Sequence, residues 1–236
     1  MKHEPSRLSG LSAAQHAAFR RLAQDLPGID REAYESAGRD WRDPVIGLGP
    51  RDAALCIFGR DPGRTEAQQG QPFLGKGGQL VRAALHRQRH GPDAPAPDFA
   101  ESIEAGSGVF WLNTAPYKPV GNKAWSMAVK RRFRPLMAEL LIDLWQGRDG
   151  RRTVIALGRE AFFWFGIGQP AEVNAALDDF WALGDERYGR TLEVGYAHGG
   201  VTHPVTLAPL PHPSPANAVW FARFSALMDA RLRHLS

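Results

Sequence analysis

The chain has 236 residues, 43% hydrophobic and 23% charged, with 29 basic against 25 acidic side chains. That length supports one large α/β domain with a real core, and the composition is that of an ordinary soluble protein. The single cysteine, Cys56, excludes an internal disulfide framework and an all-cysteine iron–sulfur cluster, and no apolar run nears the roughly 18 residues of a membrane span.

Residues 1–50 read as a helical N-terminal extension packed on a core domain of residues 51–236. Its first ten residues are polar and lack the apolar stretch of a secretory leader. A helix opens near Leu11-Ser12 and is stopped by Pro27-Gly28, and a second short helix falls between Ile29 and Trp41. Ala53 to Phe58 is a short buried strand ended by a Gly/Pro turn. A long loop then runs from Gly59 to about Lys76, followed by a helix over about Gly77–Arg89. Residues 91–107 read as a loop and Val109–Leu112 as the second strand. The next helix lies near Pro135, a favourable first-turn proline, with Met137, Leu140, Leu141, Leu144 and Trp145 as its apolar stripe.

Thr153–Leu157 is the third strand, and an aromatic helix follows through Phe165. Residues 166–204 read as irregular, with an edge strand near Leu192. Val205–Ala208 is the last core strand. A final helix over about Asn217–Leu235 buries Trp220, Phe224, Leu227 and Met228 and turns Arg223, Arg231 and Arg233 to solvent. Strands alternating with helices predict a three-layer α/β/α sandwich with a central four-stranded parallel sheet.

Charge is unevenly distributed. No acidic residue occurs between Glu104 and Glu139, a stretch that holds Lys118, Lys123, Lys130, Arg131, Arg132 and Arg134. Such a stretch can follow a phosphate backbone, and equally can be a solvated basic helix start. Cys56 lies in a strand-like run, as a small buried hydrophobe does, and one free cysteine fits a reducing, cytoplasmic or nucleoid-associated location.

Three segments carry chemistry, each just after an apolar run: Gly59-Arg60-Asp61-Pro62-Gly63, Leu112-Asn113-Thr114 and His212-Pro213-Ser214-Pro215. In a parallel sheet they meet at the carboxyl edge, where open α/β folds bind ligands. The glycines and proline of the first set a tight turn that projects Asp61 into the cleft; read alone, Asp61 also suits a residue capping a neighbour. Phe73, in Gln71-Pro72-Phe73-Leu74-Gly75, offers an aromatic face to a nucleobase or plugs the core. The Asn113 carboxamide can read a pyrimidine edge or form a turn. His212 sits between prolines, which pre-place its imidazole to stabilise a developing oxyanion. His86 and His90 stand one helical turn apart without a third ligand, so zinc is not expected.

Taken together, these segments resemble the uracil-DNA glycosylase superfamily over about residues 50–235. Residues 59–75, GRDPGRTEAQQGQPFLG, are similar to the first motif of the family 4 type, roughly GExPGxxExxxGxPFxG. The family's second motif, a strand-end Asn before a basic Pro-Gly-Asn segment, resembles Asn113 through Lys118-Pro119-Val120-Gly121-Asn122-Lys123. Its His-Pro third motif resembles His212-Pro213, and Ala156–Ala161 resembles its third-strand end. Family 4 enzymes hold an iron–sulfur cluster on four cysteines. Tyr117 stands where one of them would be, so no cluster and no other cofactor is expected. Arg60 stands where that family's first motif has Glu, while Asp61 resembles the Gly-Gln-Asp-Pro motif of family 1, and His-Pro-Ser-Pro resembles family 1 as well. Gly63 occupies the place of family 1's thymine-excluding Tyr.

The resemblance implies a monomeric base-excision enzyme that flips uracil out of single- or double-stranded DNA and leaves an abasic site. In that scheme Asp61 and His212 are catalytic, and Gly59, Arg60, Gly63, Phe73 and Asn113 line the uracil site. Lys118, Asn122, Lys123, Ser214, Pro215, Ala216 and Asn217 meet the DNA. Two alternatives stay open: a glycosylase for hypoxanthine or for thymine opposite guanine, and a non-catalytic protein that binds uracil or abasic DNA.

Overall fold

The computed structural model describes residues 10–121, 123–215 and 218–235. Ser12 caps helix α1 (Ala13–Gln24) through a reciprocal capping box with Gln15, and Asp30 caps the short α2 (Arg31–Glu35). The sheet strands are β1 (Leu55–Gly59), β2 (Phe110–Asn113), β3 (Arg152–Leu157), β4 (Leu192–His198) and β5 (Val201–Leu210). Their spatial order is β2-β1-β3-β5-β4. The first four are parallel neighbours and β4 runs antiparallel to β5. The sheet thus has five strands rather than the expected four. Leu192, Val194 and Tyr196 alternate inward along β4, and Gly199 and Gly200, both in the left-handed region, turn the chain back into β5.

Strand alternation makes the three layers. Cys56 and Phe58 face one side of β1, where they pack in a cluster with Phe19, Tyr34, Phe133 and Phe162. Leu55 and Ile57 face the other side, in a cluster with Val81, Leu85, Phe224 and Met228. One face is therefore covered by α1, α2, α6 (Met127–Ala138), α7 (Arg159–Phe163) and α8 (Ala171–Trp181), and the other by α4 (Lys76–His90), α5 (Phe99–Ala105) and α9 (Ala218–Leu235). The segment before residue 50 is stitched in: Phe19 stacks on Phe133, Ile29 bridges Pro119, and Leu48 exchanges backbone hydrogen bonds with Trp111.

Several expected elements differ. Helix α3 (Arg64–Gln69) occupies part of the loop after β1, and α5 and α8 fall in stretches read as irregular. Asp98 and Glu101 form a capping box at α5, and Val173, Leu177 and Phe180 form the inward stripe of α8. Pro135 is not a first-turn proline: Ser126 caps the helix at Met127, which leaves Pro135 in its interior, and the chain beyond winds as a π-helical segment over Glu139–Leu144. Arg231 does not face solvent. It is buried, donating to the carbonyls of Tyr188 and Pro209 and so tying α9 to β5, and burial pushes its pKa down to about 10. No helix among the described residues is long and apolar enough to cross a membrane.

Candidate active site

The parallel strands aim β2, β1, β3 and β5 in one direction, so their carboxyl ends form one edge. Along it stand Asn113, the last residue of β2, Gly59, the last of β1, with Arg60 and Asp61 beyond it, Gly158 after β3 and His212 after β5. Thr114 joins the first two: its N–H donates to the carbonyls of Gly59 and Arg60, at 2.9 and 2.8 Å.

Asp61 is the buried carboxyl of this edge, with a side chain only 2% exposed. Oδ1 accepts from the Thr114 hydroxyl at 3.0 Å and Oδ2 from the Trp125 N–H at 3.1 Å. Arg60 Nε lies 3.6 Å from Oδ2. Desolvation pushes the Asp61 pKa up; the Trp125 and Thr114 hydrogen bonds and the charges of Arg60 and Lys130 oppose it. Thr114 and Trp125 are partners that the sequence reading left out. Thr114 had a signal, standing beside Asn113 at a strand end; the Trp125 contact is made by backbone and leaves none.

Phe73 is held in a left-handed conformation, φ 60°, unusual for an aromatic residue. The loop around it is braced from three sides. Glu66 Oε1 accepts from the N–H groups of Leu74 and Gly75, at 3.1 and 2.8 Å. The buried Arg82 donates to the Phe73 carbonyl at 2.9 Å while lying over Trp111. Gly78 packs so closely that a Cβ there would fall 2.2 Å from the Phe73 carbonyl carbon. The Phe73 ring consequently lies 4.9 Å from Trp111 and directly against Gly59, where a Cβ would meet it at 2.6 Å. The same position would lie 3.5 Å from Asn113 Nδ2, so Gly59, Phe73 and Asn113 are gathered at one point. Asn113 Oδ1 is buried and has no hydrogen-bond partner among the described residues, an arrangement folded proteins seldom leave without a purpose. Gly63 is the N-cap of α3, and a Cβ there would fall 2.5 Å from Glu66 Oε2.

His212 is fixed by two close approaches. A Cβ on Gly158, itself at φ 91°, would sit 2.8 Å from His212 Cβ, and one on Gly77 would sit 2.2 Å from the Pro213 carbonyl oxygen. Burial, aided by the Arg60 charge, pushes the His212 pKa down to about 4, so the imidazole is neutral at physiological pH. Arg60 thus lies beside Asp61 and within electrostatic reach of His212. Both Arg60 and His212 line an open pocket of about 340 Å³.

The expected DNA-facing residues divide. Lys118 is buried, its ammonium paired with Asp30 at 2.8 Å and donating to the carbonyls of Pro119 and Gly121. It is spent on holding α2 and its own loop, which corrects its assignment to a phosphate. Lys130, in the same basic stretch, is buried against Glu160, and Arg134 donates to Ala197 and covers Tyr196. Lys123 and Arg131 are exposed. Ser214 is half-buried, its N–H bonded to the His212 carbonyl, and Pro215 is exposed. Asn122, Ala216 and Asn217 lie outside the described residues.

A four-cysteine cluster does not fit this site. Cys56 is buried in β1, and Tyr117 is a buried ring packed on Phe133 with its hydroxyl donated to the Arg42 carbonyl. The His86 and His90 rings pack on each other at 4.4 Å, and no cluster of three metal-ligating side chains occurs among the described residues.

A family model described as the uracil DNA glycosylase superfamily matches residues 46–236. The match spans the whole sheet and every strand end described above, and the chain belongs to that superfamily.

Proposed function

We propose that this member of the uracil DNA glycosylase superfamily hydrolyses the N-glycosidic bond of uracil in DNA, leaving free uracil and an abasic site. The observation that carries the reading is the cluster of Phe73, Gly59 and Asn113, with its buried, unpartnered carboxamide oxygen. A flipped uracil stacks on Phe73 and presents its N3–H to Asn113 Oδ1, while Asn113 Nδ2 donates to O4. Cytosine, with an unprotonated N3 and an amino group in place of O4, leaves both halves of the carboxamide mismatched.

Bond breaking draws the sugar toward an oxocarbenium ion and puts negative charge on the departing base. Asp61, as a carboxylate, stabilises the cation and orients the attacking water. Its buried, doubly bonded setting holds it in one orientation. Neutral His212 donates to the uracil oxygen where charge grows, and Arg60 adds a positive charge near the same atom. The chemistry calls on no iron–sulfur cluster or other cofactor, and a single copy of the chain acting as a cytoplasmic, nucleoid-associated monomer suffices for it.

The test is incubation of the protein, with EDTA, on single- and double-stranded oligonucleotides carrying one uracil, followed by alkaline cleavage of abasic sites. Strand breaks at uracil are expected. Intact uracil strands alongside cleavage at hypoxanthine, or at thymine opposite guanine, would move the reading to that base. A base panel left wholly uncut would make the chain a binding protein.

A further inference from the structure

The pocket beside His212 is not the Phe73–Asn113 cluster. It lies at the carboxyl ends of β3 and β5 and is lined by Arg60, Arg159, Trp181, Tyr188, His212 and Trp220, among others. Three aromatic side chains from three separate elements converge there. Trp181 ends α8, Tyr188 lies in the turn before β4, and Trp220 is in the first turn of α9. Tyr188 and Trp220 meet edge-to-face at 4.9 Å, while Arg187 lies over Trp181 and Arg223 over Trp220. Trp181 and Trp220 are only partly buried, and Arg159 is exposed. The acidic groups nearby are matched: Glu160 pairs with Lys130, and Asp185 pairs with Arg223. Leu157, Gly158 and Pro211 complete the lining with the paired Glu160; the rest is three aromatic side chains, two arginines and His212.

We infer that this pocket is a second nucleotide subsite, which stacks the base and holds the phosphate of the nucleotide adjoining the flipped one on the same strand. Aromatic faces stack any base, and guanidinium groups engage phosphate oxygens with fork geometry. The occupant is the neighbour because the pocket shares Arg60 and His212 with the site of bond breaking, so a strand whose uracil reaches Asn113 passes it next. The subsite holds the flanking nucleotide out of the stack, which favours single strands or opened duplex. This inference rests on the function proposed above.

The experiment measures binding by fluorescence anisotropy, separately from excision. The central nucleotide is a tetrahydrofuran abasic analogue, which the protein cannot cleave. In further oligonucleotides the base on its 5′ or its 3′ side is also removed. Loss of one flanking base is expected to weaken wild-type binding on the order of tenfold. It should leave the Arg159→Ala/Trp220→Ala double variant unaffected. Should that variant fail to fold, Arg159→Gln, altering an exposed side chain, tests the phosphate contact on its own: it is expected to weaken binding of all the abasic oligonucleotides alike, and unchanged binding would overturn the phosphate contact.

Uracil excision together with equal wild-type binding of all the oligonucleotides would overturn the subsite and leave the enzyme. A flanking-base effect without excision of any base would keep the subsite and overturn the enzyme. Competition by a free deoxynucleoside monophosphate as effective as that by the oligonucleotide would overturn its assignment to the strand.

Discussion

The Thr114 hydroxyl oxygen lies 3.0 Å from Asp61 Oδ1 and 2.8 Å from the Arg60 carbonyl oxygen. A hydroxyl has one proton, so it serves one of these acceptors at a time. With Asp61 ionised, the charge-assisted bond to the carboxylate is the stronger. With Asp61 protonated, the carboxyl can donate to the hydroxyl, which then donates to the carbonyl. The pair accommodates both states of an acid that burial pushes upward. Thr114→Val removes a bond that favours the carboxylate, so the acid limb of the excision rate should move to higher pH, with a loss of about tenfold near that limb. Single-turnover rates from acid to neutral pH measure this, and an unmoved limb would separate Thr114 from Asp61 ionisation.

Asp61→Asn and His212→Ala should each slow excision by at least about 100-fold while oligonucleotide affinity persists, because each removes charge stabilisation that develops in the transition state. Full activity of Asp61→Asn would take Asp61 out of the chemistry.

Asn113→Asp replaces the Nδ2 donor with an acceptor. The variant, protonated or paired with the cytosine amino group, should raise cytosine excision relative to uracil. The readout is the ratio of the two single-turnover rates, and an unchanged ratio would remove Asn113 from base reading.

His212 also predicts a stability profile. Its folded pKa of about 4 lies below the ordinary 6.5, so between these values the unfolded chain binds more protons. Stability therefore rises with pH through this window, and the stabilisation seen at neutral pH is lost as pH falls from 6.5 toward 4. The buried imidazole should cost the wild type about 2–3 kcal/mol at the acid end, relative to neutral pH. His212→Asn should lack that increment in urea titrations. Parallel pH profiles for the two proteins would show that His212 is not held neutral by the fold.

Gly158→Ala puts a methyl group 2.8 Å from His212 Cβ at a backbone conformation that disfavours any side chain. Displacement of the imidazole by a fraction of an ångström should lower kcat at least tenfold with little change in KM. Comparison with His212→Ala is decisive: in the double variant the Gly158 substitution should have almost no further effect on rate.

Much of the fold was legible because it is written locally. Apolar runs bounded by glycine and proline mark β1, β2, β3 and the inner part of β5, and a strand–helix alternation orders them. Legibility failed where a local signal was short or needed a partner. Helix α3 has no side-chain cap, and Arg39 donates to its Ala67 carbonyl from a distant segment. The edge strand expected near Leu192 is β4, whereas α5 did carry its capping box but does not resolve from irregular chain until a packed neighbour is known. Arg231 reads as a surface cation by type, yet its acceptors come from β5 and the turn before β4.

The candidate site divides in the same way. Asp61, Asn113 and His212 were visible in the sequence, since each lies at or within two residues of a strand's end and a parallel sheet delivers strand ends to one edge. Phe73 and its glycine-rich loop were visible as a motif. The tertiary structure alone decided the electrostatics: that Arg60 lies beside Asp61 and within reach of His212, that His212 is buried enough to stay neutral, and that Lys118 and Lys130 are consumed by Asp30 and Glu160. It alone assembled the aromatic pocket from α8, the turn before β4 and α9. Residue type and spacing encode what a backbone does over a few residues, whereas burial and charge pairing depend on which distant segments the closed core brings together.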